Sequence, residues 1–406
     1  MDLNTLCFLL FWVLFTGFLV LDGLDFGVGM LLPFAGKTAV ERQAIIKTIA
    51  PVWEGSQVWI IVAAGVLFAG FPHVYATLFS GLYLALFIIL VALVLRGLAI
   101  ELHNKDDSPA WRRFCYWSIF GGSLVPALLW GITLGSMLGG LPIAGDKQYS
   151  GGFFALISMY SLVSGLTYIL LFLSQGMIYL ALKLESSLAQ RMQQTSLATI
   201  KYTLLTIVCL AILTVASTTA GHKGLVFVLA VATIGCLFFS GQYLGREQYR
   251  QSLGLICLAI IAQTATLFTG LYPRIIVSSL DPRWSLDIYN SSASPLTLKI
   301  ITTLMIVILP VIIAIEMWKF YVFRQIVSLQ EIELAPHIPR LRRMSEKLKQ
   351  YIKYACCLAD TLDKTRKALR STDGRIINKL KAKHRTLLFG KPHLHLRSVK
   401  QNRTKK

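Results

Sequence analysis

The sequence is short of charge. Asp, Glu, Lys and Arg make up 15% of its 406 residues, against about 25% in a soluble domain. Histidine is kept out of the apolar runs: His73 and His222 fall in turns, His103 at the end of a run, and His337, His384, His393 and His395 in the C-terminal tail. A haem held between membrane helices usually takes His or a suitable Met as axial ligand. Met30, Met137, Met159, Met177 and Met305 read as packing, so the chain is expected to bind no cofactor or redox metal of its own. Cys7, Cys115, Cys209, Cys236, Cys257, Cys356 and Cys357 form no Cys-x-x-Cys pair, and no external loop holds two. That excludes a disulfide framework and a zinc site. There is no Walker A loop and no dinucleotide fingerprint behind a strand.

What is present is apolar. Such residues make up 55% of the chain and cluster in runs about as long as a bilayer is thick. Nine spans are predicted, near 6–32, 54–71, 75–101, 115–138, 154–182, 200–220, 224–243, 253–272 and 298–320. The first has no basic leader and continues too far for a signal peptide, so it reads as a span. The fold class is therefore an all-α integral membrane protein. Two loops, 139–153 and 273–297, are long enough to hold structure.

Lys and Arg alternate from side to side. Lys37, Arg42 and Lys47 follow span one; Lys105, Arg112 and Arg113 follow span three; Lys183, Arg191 and Lys201 follow span five; Arg246 and Arg250 follow span seven. The opposite loops hold only Lys147, Lys223, Arg274 and Arg283. The bias puts the N-terminus outside and, with an odd number of spans, the C-terminus in the cytoplasm. From Lys319 onward there are 23 Lys and Arg against six Asp and Glu. Domains are accordingly set at 1–325 for the membrane part and 326–406 for a basic tail, partly helical or disordered. In it Ile338, Leu341, Ser345, Leu348 and Ile352 recur at helical spacing among Arg340, Arg342, Lys347, Lys349 and Lys353, which suits an anionic lipid surface as well as a solvated helix. No nucleic-acid recognition motif accompanies the charge.

Ionisable residues inside spans are costly, and tend to face a bundle interior or a partner. Asp22 and Asp25 stand three apart in span one, on one helix face. Glu54 opens span two within Trp53-Glu54-Gly55-Ser56-Gln57-Val58-Trp59, and Arg96 lies near the end of span three, with Glu101 a turn on. By topology, three carboxylates and one guanidinium share a layer near the cytoplasmic face. Carboxylates with exchangeable protons there suit proton uptake, while an Arg–Asp pair that only fixes packing is the plainer reading. Trp53 and Trp59 read as an interfacial aromatic belt.

At these residues the sequence resembles subunit II of cytochrome bd oxidases. The matching features are Asp22-Gly23-Leu24-Asp25-Phe26-Gly27-Val28-Gly29-Met30, Glu41-Arg42, Ile49-Ala50-Pro51-Val52-Trp53, Gly55 to Trp59, Leu67 to Pro72, Tyr75-Ala76 and Leu95-Arg96-Gly97. The resemblance implies two four-helix bundles plus a peripheral ninth helix in the bacterial inner membrane, paired with a homologous subunit I that carries haems b558, b595 and d and the quinol loop. The complex is then a ubiquinol oxidase that reduces oxygen to water with protons drawn from the cytoplasm. Carried over by position, Glu54 sits at the mouth of the proton path, Asp25 and Arg96 are electrostatic partners behind it, and Asp22, Trp53, Gln57, Trp59 and Glu101 are accessory. The resemblance leaves room for a quinone or lipid in this subunit, and for a small accessory subunit beside it. Two features depart from the family: Glu54 stands where Asp is usual, and the tail continues where members commonly stop. The competing reading is a secondary transporter with an ion site at Asp22, Asp25 and Arg96, but corresponding halves lack a matching pair of interrupted helices.

Overall fold

Side chains that can cap a helix stand just outside the apolar runs and set where several helices begin. In the computed structural model, which describes residues 2–106, 108–184, 186–218, 222–323 and 327, the Asp2 carboxylate accepts from the Thr5 amide and starts α1 (Leu3–Ala35). Thr38 and Glu41 close a capping box on α2 (Ala39–Ile49). Three helices follow: α3 (Trp53–Gly70), α4 (Pro72–Gly81) and α5 (Tyr83–Leu102). Ser108 with Pro109 starts α6 (Pro109–Gly139), and Ser158 starts α7 (Met159–Lys183). Beyond them lie α8 (Ser186–Ser217), α9 (Lys223–Gly245) and α10 (Tyr249–Leu271). A short antiparallel pair, β1 (Arg274–Ile276) and β2 (Leu286–Asp287), precedes α11 (Pro295–Val322), which Ser294 caps.

Among the described residues nine helices, all but α2 and α4, are long and apolar enough to cross a membrane. The chain is a multi-pass, all-α membrane protein. Several boundaries differ from the sequence pattern, among them the start of the fourth span, at Pro109 rather than 115. The run at 75–101 is divided at Leu82, where Gly81 lies directly under the Tyr149 ring of a distant loop. The fifth span starts at Met159 rather than 154, after a 3-10 turn at Phe153–Leu156. The sixth begins at Ser186 instead of 200, because its polar first turns are held by other elements. The tail expected from 326 lies outside the described residues except for Val327.

In lipid the helices are held by close packing and internal hydrogen bonds more than by exclusion from water. α1 runs through the middle, against α3, α6, α7, α10 and α11. α1, α3, α5 and α6 form one bundle and α7 to α10 the second, with α11 at the edge on α1 and α3. A ladder of rings, Phe8, Phe11, Phe15 and Phe18, packs on Phe268 and Trp130. Lower down, Gly27 of α1 meets Gly176 of α7 so closely that a Cβ on either would overlap the other backbone.

The two ends of the bundle differ. At one, the sheet end, the loops lock together: Thr77 Oγ1 donates to the Lys147 carbonyl (2.7 Å), Lys147 Nζ to the Asn290 carbonyl (2.7 Å), and the Ala293 amide to Gly70 (2.9 Å). At the other, the α2 end, Ala44, Ile45, Ile46 and Ile49 of α2 are buried. Glu41 pairs with Arg191 at 2.5 Å, and Lys183 Nζ donates to the Phe323 carbonyl at 2.6 Å.

Candidate functional site: a buried acidic layer

Toward the α2 end, charged side chains of α1 and α5 meet polar ones of α3. Arg96 and Asp22 are 1% and 0% exposed, and Arg96 Nη2 donates to Asp22 Oδ1 at 3.0 Å. Gln57 Nε2 donates to Asp22 Oδ2 at 2.8 Å. The guanidinium also lies 4.7 Å from the centroid of the Phe26 ring. Phe26 follows Asp22 by four residues and so shares its face of α1; the arginine is held between carboxylate and ring. Asp25, 60° round the helix from Asp22, turns to α3, where Ser56 Oγ donates to its Oδ2 at 3.0 Å. Among the described residues its Oδ1 has no hydrogen-bond partner, nor do Arg96 Nε and Nη1.

This arrangement corrects three expectations. Asp22, expected as accessory, takes the guanidinium in place of Asp25, because Asp22 and Phe26 together present the surface Arg96 fits. Glu54 does not join by contact: it lies exposed on the first turn of α3, two residues before Ser56, with no hydrogen bond or ion pair among the described residues. Trp53 and Trp59 do not form a belt. The Trp53 ring packs over Gly97 of α5 and the Trp59 ring over Gly17 of α1, so both are wedges between helices. Gln57 is a ligand of the layer, and Glu101 lies exposed on the last turn of α5.

Two residues of the site were missed in the sequence. On α11, Glu316 (7% exposed) and Lys319 form an ion pair at 2.5 Å. Lys319 Nζ donates to the Val52 carbonyl at 2.9 Å, and a Cβ on Gly55 would lie against both side chains. The signal was there, an acid and a base three apart in an apolar run, but it reads as the anchored end of a span. Glu316 also forms part of the wall of an apolar groove of about 620 Å³ between α1, α3, α10 and α11, with Trp12, Thr16, Trp59, Ile313 and Phe320.

Chemically, the layer holds two neutralised pairs, Asp22–Arg96 and Glu316–Lys319, and one buried carboxyl, Asp25, without a cation in contact. A group of that kind, hydrogen-bonded on one oxygen only, can give and take a proton. Outside the spans, His103 is buried behind α5 with Nδ1 2.7 Å from the Ile100 carbonyl, and burial holds its imidazole below the ordinary histidine value.

The chain is similar to known proteins over most of its length. The sequence model described as cytochrome bd terminal oxidase subunit II matches residues 3–323. A Bacillus subtilis protein named cytochrome bd ubiquinol oxidase subunit 2 is 32% identical over 332 residues, covering 81% of this chain and 98% of that one. The Escherichia coli K12 cytochrome bd-I ubiquinol oxidase subunit 2 is 30% identical, covering 82% and 98%. The bd oxidase structure from Geobacillus thermodenitrificans shares the fold, with a TM-score of 0.63 at 18% identity, over 80% of this chain and 99% of that one. The residues beyond 323, with most of the basic charge, have no counterpart in the family match. The chain thus belongs to the cytochrome bd terminal oxidase subunit II family.

Proposed function

We propose that the chain is the non-haem subunit of a cytochrome bd quinol oxidase, and that its acidic layer carries protons from the cytoplasm toward the site of oxygen reduction. The observation that carries this reading is Asp25, buried and without its own cation, beside the Asp22–Arg96 pair. The α2 end faces the cytoplasm in this reading, supported by Lys37, Arg42, Lys47, Lys105, Arg112 and Arg191 at that end. Glu54, exposed on α3, is the mouth of the path, and Ser56, two residues on, hydrogen-bonds to Asp25. The membrane is the bacterial inner membrane. Family membership takes the place of the transporter reading of the same residues.

The haems belong to a partner, subunit I, which also binds the quinol. What supports this is the position of the described histidines: His73, His103 and His222 stand at helix ends. His337, His384, His393 and His395 lie outside the described residues. No chemical step is therefore assigned to a haem on this chain. The 620 Å³ groove, apolar and open to the bilayer, suits the tail of a quinone or a lipid.

The test is a complex purified through a tag on this chain. It should carry haem in its difference spectrum and consume oxygen with quinol. Glu54→Gln should leave haem content intact and slow oxygen consumption about tenfold or more, in line with a positioned proton carrier. A tagged chain that brings down no haem rejects the assignment; normal turnover with Glu54→Gln removes Glu54 from the path.

A further inference from the structure

α11 is mostly exposed in the chain: Leu298, Thr302, Met305 and Glu316 are its only buried residues. A charged pair on such a helix is costly, and its position is particular. Lys319 reaches past Glu316 to the carbonyl of Val52, the residue before α3. That first turn of α3 has no side-chain cap. It carries Glu54 outward, and Ser56 and Gln57 inward to Asp25 and Asp22. Gly55, between them, gives the room that lets Glu316 and Lys319 close on the turn. The ammonium is near enough for its charge to act on both Asp22 and Asp25. The other charged or titratable groups facing Asp25 are Arg96, Asp22 and, from α7, Tyr179.

We infer that Lys319 is a positioning residue for proton uptake. Its ammonium, held by Glu316, fixes the first turn of α3 and supplies the second positive charge of the acidic layer. The inference rests on the proton-path reading above and extends it to a helix that shares no charge with α1, α3 or α5 in the sequence pattern. Lys319 acts through Ser56, Gln57 and Glu54 rather than on a reacting atom. Glu316 holds the ammonium over the turn.

The experiment uses the whole oxidase, purified through a tag on this chain, with Lys319→Met, Lys319→Gln and Lys319→Arg beside Glu54→Gln. Lys319→Gln retains a donor for the Val52 carbonyl but no charge. The expected result for Met and Gln is a kcat lowered about tenfold, as a small misplacement of a reacting group can do. Haem content and the KM for quinol should not change, and the solvent deuterium isotope effect on kcat should rise. Arg should restore at least half of the lost turnover. Normal turnover in either uncharged variant, an Arg variant as slow as Met, or loss of haem from all three would overturn the inference. The Glu54 arm separates the two ideas. A slow Glu54→Gln with normal Lys319 variants sinks the role of Lys319 alone. A normal Glu54→Gln with slow, Arg-rescued Lys319 variants keeps that role and moves the mouth of the path elsewhere.

Discussion

Asp22 and Arg96 form a buried pair in which, among the described residues, each member is the other's only counter-charge in contact. Removing one leaves a bare charge in low dielectric, at a cost of about 3–5 kcal/mol. Asp22→Asn and Arg96→Ala should both lower the thermal stability of the complex and its haem content, whereas Asp25→Asn, which removes no ion-pair partner, should be milder. A thermal scan followed at the haem band checks this; equal loss in Asp22→Asn and Asp25→Asn would contradict the pairing. Asp22, Asp25 and Arg96 were legible in the sequence because a charge in an apolar run stands out; Glu316 and Lys319, near the end of theirs, were not. Which carboxylate takes the arginine was not, since it depends on a 60° difference around α1 and on Phe26. The exposure of Glu54 was equally hidden: depth follows from topology, but the direction of a first-turn side chain does not.

Helices meet here through small residues, and α1 with α7 is the tightest case. A Cβ on Gly176 would stand 2.5 Å from the Gly27 carbonyl carbon, so Gly176→Ala must push the two helices apart. Overpacking of that kind costs about 1–3 kcal/mol, and the yield of folded complex should fall. Gly121→Ala is the control: nothing lies within 4 Å of that position, and the change removes a flexible glycine from a helix, so yield should hold or improve. The spans themselves were readable from length and hydropathy. The break at Leu82 was not, because the apolar pattern runs straight through it and only Tyr149 marks the place. Nor was the start of α8. Its polar first turns read as loop, yet Arg191 is held by Glu41 (2.5 Å) and Gln193 Nε2 donates to the Leu244 carbonyl (2.8 Å). Tertiary contacts that join distant segments leave no local trace.

Taken whole, the molecule has a sheet end poor in Lys and Arg and an α2 end rich in them. If the α2 end faces the cytoplasm, a cysteine at Asp146 in a cysteine-free background should react with a membrane-impermeant maleimide in spheroplasts, and one at Arg246 only after lysis. The reverse pattern would invert the molecule and place the acidic layer on the wrong side for proton uptake. One further consequence concerns how the chain is made. Asp22 leaves the ribosome 74 positions ahead of Arg96, several seconds at ordinary synthesis rates of roughly 5–20 residues per second. Through that interval α1 carries two acids that lipid disfavours by about 2.5–3.5 kcal/mol each near the middle of a helix. The many Leu, Phe and Val of α1, with a mean hydropathy of 2.2, offset that cost, so the helix can enter the bilayer with its acids unpaired. The counter-charge comes only with the third span, so the ion pair is completed late in assembly and insertion does not depend on it.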